Sequence, residues 1–319
     1  MLYLNKNDIY DLITYDEIMD AIEEAFKIHG SKNYDMPNRI HVSYRNNTLL
    51  YMPCFLQDIF GTKLLTLFPE NRKKNRPVID GLMLLNDYET GEPIGMMDGK
   101  ILTALRTGAV GGVGIRHFTP ETAKTVGLVG AGVQGFYQLL FACKARKIDK
   151  IMVFDIFTEK LAAFVKELEV LLPNVSIVIA NTIEDLLKES QIVITTTTSY
   201  KPVLPEKPEL LKGKSFIGIG SYKPNMREYP DILFSLLDKV YIDTEFAKEE
   251  SGDLKIPLSN NLLQEDKIET VGSFLTNKKE IINKTIFYKS VGMALFDVVV
   301  AKLIYDEAKK NNVGQKIIL

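Results

Sequence analysis

The stretch Thr125-Val126-Gly127-Leu128-Val129-Gly130-Ala131-Gly132-Val133-Gln134-Gly135 decides how the chain is read. Its first five residues are uncharged and read as a buried strand. The glycines follow at GxGxxG spacing, and a helical pattern continues to about Arg146. In this context each glycine has its own task. Gly130 takes the tight turn, Gly132 lets backbone approach a pyrophosphate favoured by the helix N-terminus, and Gly135 lets helix and strand pack closely. With Ala131, Val133 and Gln134 between them, Gly130 to Gly135 form the candidate dinucleotide cradle. Asp155 closes the next apolar run, IMVFD, near the roughly 20-residue spacing at which an acid accepts hydrogen bonds from adenosine ribose hydroxyls. A carboxylate there repels a 2'-phosphate, and Ile156-Phe157-Thr158 supply no arginine to counter it, so NAD(H) is favoured over NADP(H). A helix N-cap or a solvated turn is the alternative reading of Asp155.

Outward from this stretch the chain has two textures. Downstream, the runs VSIVIA, IVITTTT, SFIGIG and KVYID alternate with helical patterns from Thr158 and near 182 to 189. Uniformly apolar strands alternating with helices indicate a parallel sheet covered on both faces. Upstream, Thr14-Tyr15-Asp16-Glu17 is a capping box, and Ile18, Ala21, Ile22, Ala25 and Phe26 recur at helical spacing up to His29-Gly30. From about 48 to 98, short apolar runs between Gly, Pro and Asn signals predict a mostly antiparallel sheet, with a hairpin turn at Tyr88 to Glu92. Residues 100 to 118 are rich in Ala and Gly and suit a helix packed closely on another backbone. Thr119-Pro120-Glu121 reads as a domain boundary. Ser290 to Asn311 reads as one long amphipathic helix that returns to the first domain. The fold class expected is α/β: a Rossmann-type parallel-sheet domain over 120–291, and an α+β substrate and dimerisation domain built from both chain ends, 1–119 plus 292–319.

Composition narrows the partners. The 319 residues carry 39 Lys plus Arg against 41 Asp plus Glu, so no basic excess exists for nucleic acid. Cys54 and Cys143 form no CxxC, and His29, His41 and His117 stand apart, so neither a disulfide scaffold nor a metal site is expected. No uncharged apolar run of ~18 residues occurs and the first ten residues lack a signal-peptide pattern, which leads to the expectation of a cytoplasmic protein without a membrane span.

Several motifs in order resemble the ornithine cyclodeaminase and mu-crystallin family: GTKLLTLFPENR (Gly61 to Arg72), GLMLLNDYETGEPIGMMDG (Gly81 to Gly99), LTALRTGAV (Leu102 to Val110), GAGVQG, and KSVGMALFD (Lys289 to Asp297). The resemblance runs nearly end to end and implies a homodimer with a central Rossmann domain that binds NAD. It also implies that Lys63 and Arg106 line the active site and that Arg39 is a further carboxylate-binding arginine. Such cations suit an amino or imino acid: a guanidinium fork matches a carboxylate and an ammonium adds a point charge. Each alone is also readable as a surface cation. Burial of Lys63 near Arg39 and Arg106 would lower its pKa and let it donate a proton to the substrate nitrogen.

By the same resemblance Thr107, Thr196, the backbone of Gly218-Ile219-Gly220, and Ser290 contact the coenzyme. The threonine run Thr195 to Thr198 is otherwise strand filler, and Ser290 is otherwise the N-cap of the last helix. Ornithine cyclodeaminases carry an acid in a GxDxPGK segment; this chain reads Gly220-Ser221-Tyr222-Lys223-Pro224-Asn225-Met226, with Tyr222 in the acid's place. A neutral phenol is no carboxylate base, though it can donate a hydrogen bond near the substrate ring. The expected activity is therefore an NAD(H)-dependent oxidoreductase of a small amino or cyclic imino acid, such as Δ1-pyrroline-2-carboxylate. Ornithine cyclodeaminase, alanine dehydrogenase and a non-catalytic mu-crystallin-like binding protein are the alternatives.

Overall fold

The structure is a computed structural model that describes residues 1–74, 76–277 and 285–318. The chain divides into two compact units, Met1–Arg106 with Met293–Leu319, and Thr107–Gly292. The division falls inside the helix Gly99–Phe118.

In the first unit the helix Tyr15–Ser31 starts where its capping box places it. Glu17 N–H donates to Thr14 Oγ1 at 3.3 Å and Thr14 N–H donates to Glu17 Oε2 at 2.8 Å, satisfying two donors that a helix start leaves free. The strands are β1 (Leu2–Leu4), β2 (Ile40–Tyr44), β3 (Asn47–Phe55), β4 (Ile59–Leu67), β5 (Ile79–Asp87) and β6 (Pro93–Asp98). With the short strand Gln315–Lys316 at one edge, the sheet order is Gln315–Lys316, β1, β6, β5, β4, β3, β2. β2 through β6 pair antiparallel, as the punctuated apolar runs predict, and β5 turns into β6 around Tyr88 to Gly91. β1 lies parallel to β6, a pairing the sequence did not announce. Along β4, Ile59, Gly61, Lys63 and Leu65 alternate onto the buried face.

The helix Ala294–Asn311 covers that face, packing on β3, β4, β5 and the helix Tyr15–Ser31. The rings of Phe26 and Phe296 meet edge to face at 4.9 Å. This helix starts later than the expected Ser290. Gly292 has φ 76°, which interrupts a helix, and Met293 is the extended N-cap. Ser290 is accordingly not the N-cap.

The second unit holds β7 (Thr125–Val129), β8 (Lys150–Phe154), β9 (Ser176–Ile179), β10 (Ile192–Thr195), β11 (Ser215–Gly218), β12 (Lys239–Ile242), β13 (Ile268–Thr270) and β14 (Ile286–Lys289). They form one parallel sheet in the order β13, β12, β14, β11, β10, β7, β8, β9. The chain winds one way from β7 to β9 and the other way from β10, so the topological switch lies beside β7, directly before the glycine turn. β14 was hidden because its four residues run straight into the segment read as helix.

Gly108, Gly111 and Gly114 allow the close packing expected of the Ala/Gly-rich helix, but onto side chains rather than backbone. Cβ atoms there would run into Phe141, Gln138 and Tyr288. Among the described residues no helix is long and apolar enough to cross a membrane.

Candidate active site

In the first unit Lys63 sits mid-strand on β4, with Met52 and Met83 as its cross-strand neighbours, and is 0% exposed. A buried ammonium needs a partner, and the last helix supplies one. Lys63 Nζ donates to Asp297 Oδ1 at 2.7 Å, and Asp297 is also 0% exposed. Arg106, buried near the end of the first-unit part of its helix, brings Nε to 2.9 Å from the same oxygen. Half-buried Arg39 adds a third positive charge acting on Lys63. Two buried cations thus share one carboxylate, and the net positive charge left over suits an anion.

The charge balance sets the protonation of Lys63. Burial, then the charges of Arg106 and Arg39, outweigh the opposing pull of Asp297 and bring its pKa down to about 7. The ammonium and the free amine are then both populated near neutrality, the condition for moving a proton. Cys54, also on the buried side of β3, is no competitor: burial, Asp297 and Asp35 push its thiol up to about 12.

Asp297 escaped the sequence reading. The signal was present, since an acid within Leu295-Phe296-Asp297-Val298-Val299-Val300 interrupts an apolar helix face and requires a buried cation opposite.

In the second unit the glycine turn has the geometry its spacing requires. Gly130 has φ 105°, a left-handed conformation that a side chain would strain. A Cβ on Gly135 would strike the Gly130 carbonyl oxygen, so this glycine lets helix Val133–Ala145 sit tight on β7. A Cβ on Gly132 would meet nothing within 4 Å, so only an incoming ligand would make that hydrogen necessary. No side chain caps the helix start, which leaves backbone N–H groups there without a side-chain acceptor. These features fit a dinucleotide pyrophosphate.

Asp155 lies at the turn: its Oδ2 accepts from Ala131 N–H at 2.7 Å and its Oδ1 from Phe157 N–H at 2.8 Å. It therefore both closes a local turn and faces the cradle. Thr196 Oγ1 donates to the Gly130 carbonyl at 2.7 Å and braces the turn from β10. Ile219 N–H donates to Thr195 O at 2.9 Å, and Ser290 N–H donates to Gly218 O at 3.1 Å, so these backbones are knit together where their strands end. Buried Thr107 accepts Gln138 Nε2–H at its carbonyl, 2.7 Å. Tyr222 is half-buried with Lys223 Nζ 5.8 Å from its ring centre, and burial, then Tyr200, raise its hydroxyl pKa, so the phenol stays protonated.

The structure thus brings Lys63, Arg106 and Arg39 together in the first unit. It gathers the glycine turn, Asp155 and Thr196, and separately Gly218, Ile219 and Ser290, in the second.

Known proteins are similar to this chain in sequence and fold. A Δ1-pyrroline-2-carboxylate reductase of Bacillus cereus is 33% identical over 99% of both chains. The structure of Thermococcus litoralis Δ1-pyrroline-2-carboxylate reductase in complex with NADH and L-proline superposes with a TM-score of 0.93 at 31% identity, covering 99% of this chain and 100% of that one. An archaeal alanine dehydrogenase dimer with bound NAD superposes with a TM-score of 0.91 at 29% identity, covering 100% and 99%. The model of the ornithine cyclodeaminase/mu-crystallin family matches residues 2–312, and the chain belongs to that family.

Proposed function

We propose that this protein is an NAD(H)-dependent reductase of a small cyclic imino acid of the Δ1-pyrroline-2-carboxylate type. The observation that carries the reading is the buried group Lys63–Asp297–Arg106, whose surplus positive charge suits a carboxylate and whose lysine has a pKa of about 7. The likeness to reductases and to a structure holding NADH and L-proline supports it.

When bound, NADH supplies the hydride that reduces the imine carbon. Arg106 and Arg39 hold the substrate carboxylate, and Asp297 fixes Nζ of Lys63. Lys63 polarises the C=N bond and gives its proton to the nitrogen, so that imine, hydride and proton add up to the amine. Tyr222 donates a hydrogen bond near the ring. Gly130 to Gly135, Asp155, Thr107, Thr196, Gly218 to Gly220 and Ser290 bind NAD(H), and Asp155 selects it over the phosphorylated form.

A protonated phenol at position 222 argues against ornithine cyclisation, which needs a carboxylate base. Reductive amination of pyruvate is a second reading, favoured by the alanine dehydrogenase likeness. The presence of Lys63, Arg106 and their shared carboxylate argues against a binding protein without turnover.

We assign substrate binding and dimerisation to the unit built from both chain ends, and coenzyme binding to the other. The exposed Ile40, Val42 and Tyr44 on edge strand β2 support a homodimer. The free thiols Cys54 and Cys143 support a cytoplasmic setting.

The test is a substrate panel. NADH oxidation with Δ1-pyrroline-2-carboxylate, giving proline, is expected. Ornithine consumed with release of ammonia and no net change in NADH would overturn the reading.

A further inference from the structure

The second unit buries a set of ionisable groups that the mechanism above does not use: Glu228, Asp243, Asp253 and Lys289, each 0% exposed. Glu228 has the densest bonding. Its Oε1 accepts from Thr197 N–H at 2.6 Å and Thr197 Oγ1 at 2.8 Å, and its Oε2 accepts from Gly220 N–H at 2.9 Å and Ser221 N–H at 3.1 Å. Asp253 Oδ1 accepts from the backbone N–H groups of Glu228 at 2.8 Å and Tyr229 at 3.1 Å, which fixes the segment that carries Glu228. Asp243 Oδ2 accepts from Ser290 Oγ at 2.7 Å, Val291 N–H at 2.9 Å and Gly292 N–H at 2.7 Å. The Lys289 ammonium has no hydrogen bond among the described residues and supplies countercharge to all three acids.

The bonded loops share one position in the fold. Thr197 follows β10, Gly220 and Ser221 follow β11, Asp243 follows β12, and Ser290 to Gly292 follow β14. These are carboxyl ends of parallel strands, where open α/β sheets hold their ligands. Asp155 marks the adenosine side, at the end of β8. A dinucleotide straddling the switch beside β7 therefore extends its other half towards β10, β11 and β14. Burying three acids around one base is an expensive way to gain stability, since apolar side chains of similar size would do as well. It is an effective way to hold loops rigidly, and the two loops on Glu228 are in direct contact: a Cβ on Gly220 would run into the Thr197 backbone.

We propose that Glu228 is a positioning residue for the nicotinamide half of the coenzyme, clamping the loops after β10 and β11 in the shape that receives it. The proposal rests on the NAD(H) reading. In Glu228→Gln the amide NH2 faces either the two backbone donors of Gly220 and Ser221, and that loop loses both bonds, or Thr197, whose N–H loses its acceptor while its hydroxyl must turn to accept.

The experiment is calorimetric titration of the full-length protein and its variants with NADH and with ADP-ribose, which lacks the nicotinamide. Glu228→Gln is expected to weaken NADH about tenfold or more while ADP-ribose stays within about a factor of two. Thr197→Val removes one donor and keeps the shape; about threefold weaker NADH with ADP-ribose unchanged is expected. If Glu228→Gln does not fold, Thr197→Val decides. Equal weakening of both ligands, or NADH binding unchanged, overturns the proposal. A wild-type protein that binds neither ligand removes the dinucleotide reading, and the proposal with it.

Discussion

Lys63 on β4 and Asp297 on the last helix form an ion pair with both side chains fully buried, Nζ to Oδ1 at 2.7 Å. The two residues come from opposite ends of the chain, so the pair joins the amino-terminal sheet to the carboxyl-terminal helix at the point where chemistry is expected. The same Asp297 oxygen also pairs with Arg106. Asp297→Asn removes this charge and leaves two buried cations unbalanced. We expect a loss of roughly 3 kcal/mol or more in unfolding free energy, read by urea denaturation, since removing one partner of a buried pair strands the other. We also expect kcat/KM for imine reduction to fall about 100-fold, because a neutral amide cannot hold Nζ as firmly.

The pKa of about 7 at Lys63 fixes a pH dependence. A proton donor must be protonated, so kcat/KM for imine reduction stays level below about pH 7 and falls as pH rises through it. Amino-acid oxidation needs the free amine and shows the opposite limb, rising through the same pH. Stability has its own sign. The folded pKa lies below the unfolded 10.5, so the unfolded chain binds the proton first. The contribution of Lys63 to stability therefore falls as pH drops from about 10.5 to about 7, and is level below that. Initial rates in both directions across roughly pH 5.5 to 9 check the two kinetic limbs.

Gly132 separates folding from binding. A Cβ there meets no protein atom, and its φ of −98° suits any residue. Gly132→Ala should therefore keep its stability within about 0.5 kcal/mol while NADH binding weakens at least about tenfold, because the methyl group occupies the space of the pyrophosphate. Thermal unfolding and NADH fluorescence titration read the two effects. Unchanged binding would remove the glycine turn from the coenzyme site.

Asp155 is expected to set coenzyme choice. Asp155→Ala deletes the acceptor of Ala131 N–H and Phe157 N–H and, on the proposed reading, that of the ribose hydroxyls. NADH should weaken by about 1.5 kcal/mol or more, and NADPH should gain relative to it because the repelling charge is gone. The ratio of kcat/KM for the two coenzymes is the readout; an unchanged ratio would assign the preference elsewhere.

The sequence exposed the parts that depend on local rules. The glycine turn, the Thr14 capping box and the alternation of strands with helices each follow from spacing that neighbouring residues alone decide. What depended on distant partners was less legible. Asp297 looked like one acid in an apolar helix because Lys63 and Arg106 lie far away in sequence. Glu228, Asp243 and Asp253 were not singled out in the sequence, because they reach Lys289 from three separate places: the segment after β11, the end of β12 and the helix Gly252–Ser259. The late start of the last helix was obscured because Ser290 to Met293 are small or apolar, and the left-handed turn at Gly292 is a single-residue event. Lys63 and Arg106 were singled out through motif resemblance; the carboxylate they share is visible only in three dimensions.

The most direct measurement is the NADH-dependent reduction of Δ1-pyrroline-2-carboxylate by the wild-type protein and by Lys63→Ala, with proline quantified as product. The account predicts proline formation by the wild type and a kcat/KM lower by about a thousandfold in the variant, within the range for losing a positioned general acid. Equal rates in the two proteins would contradict it.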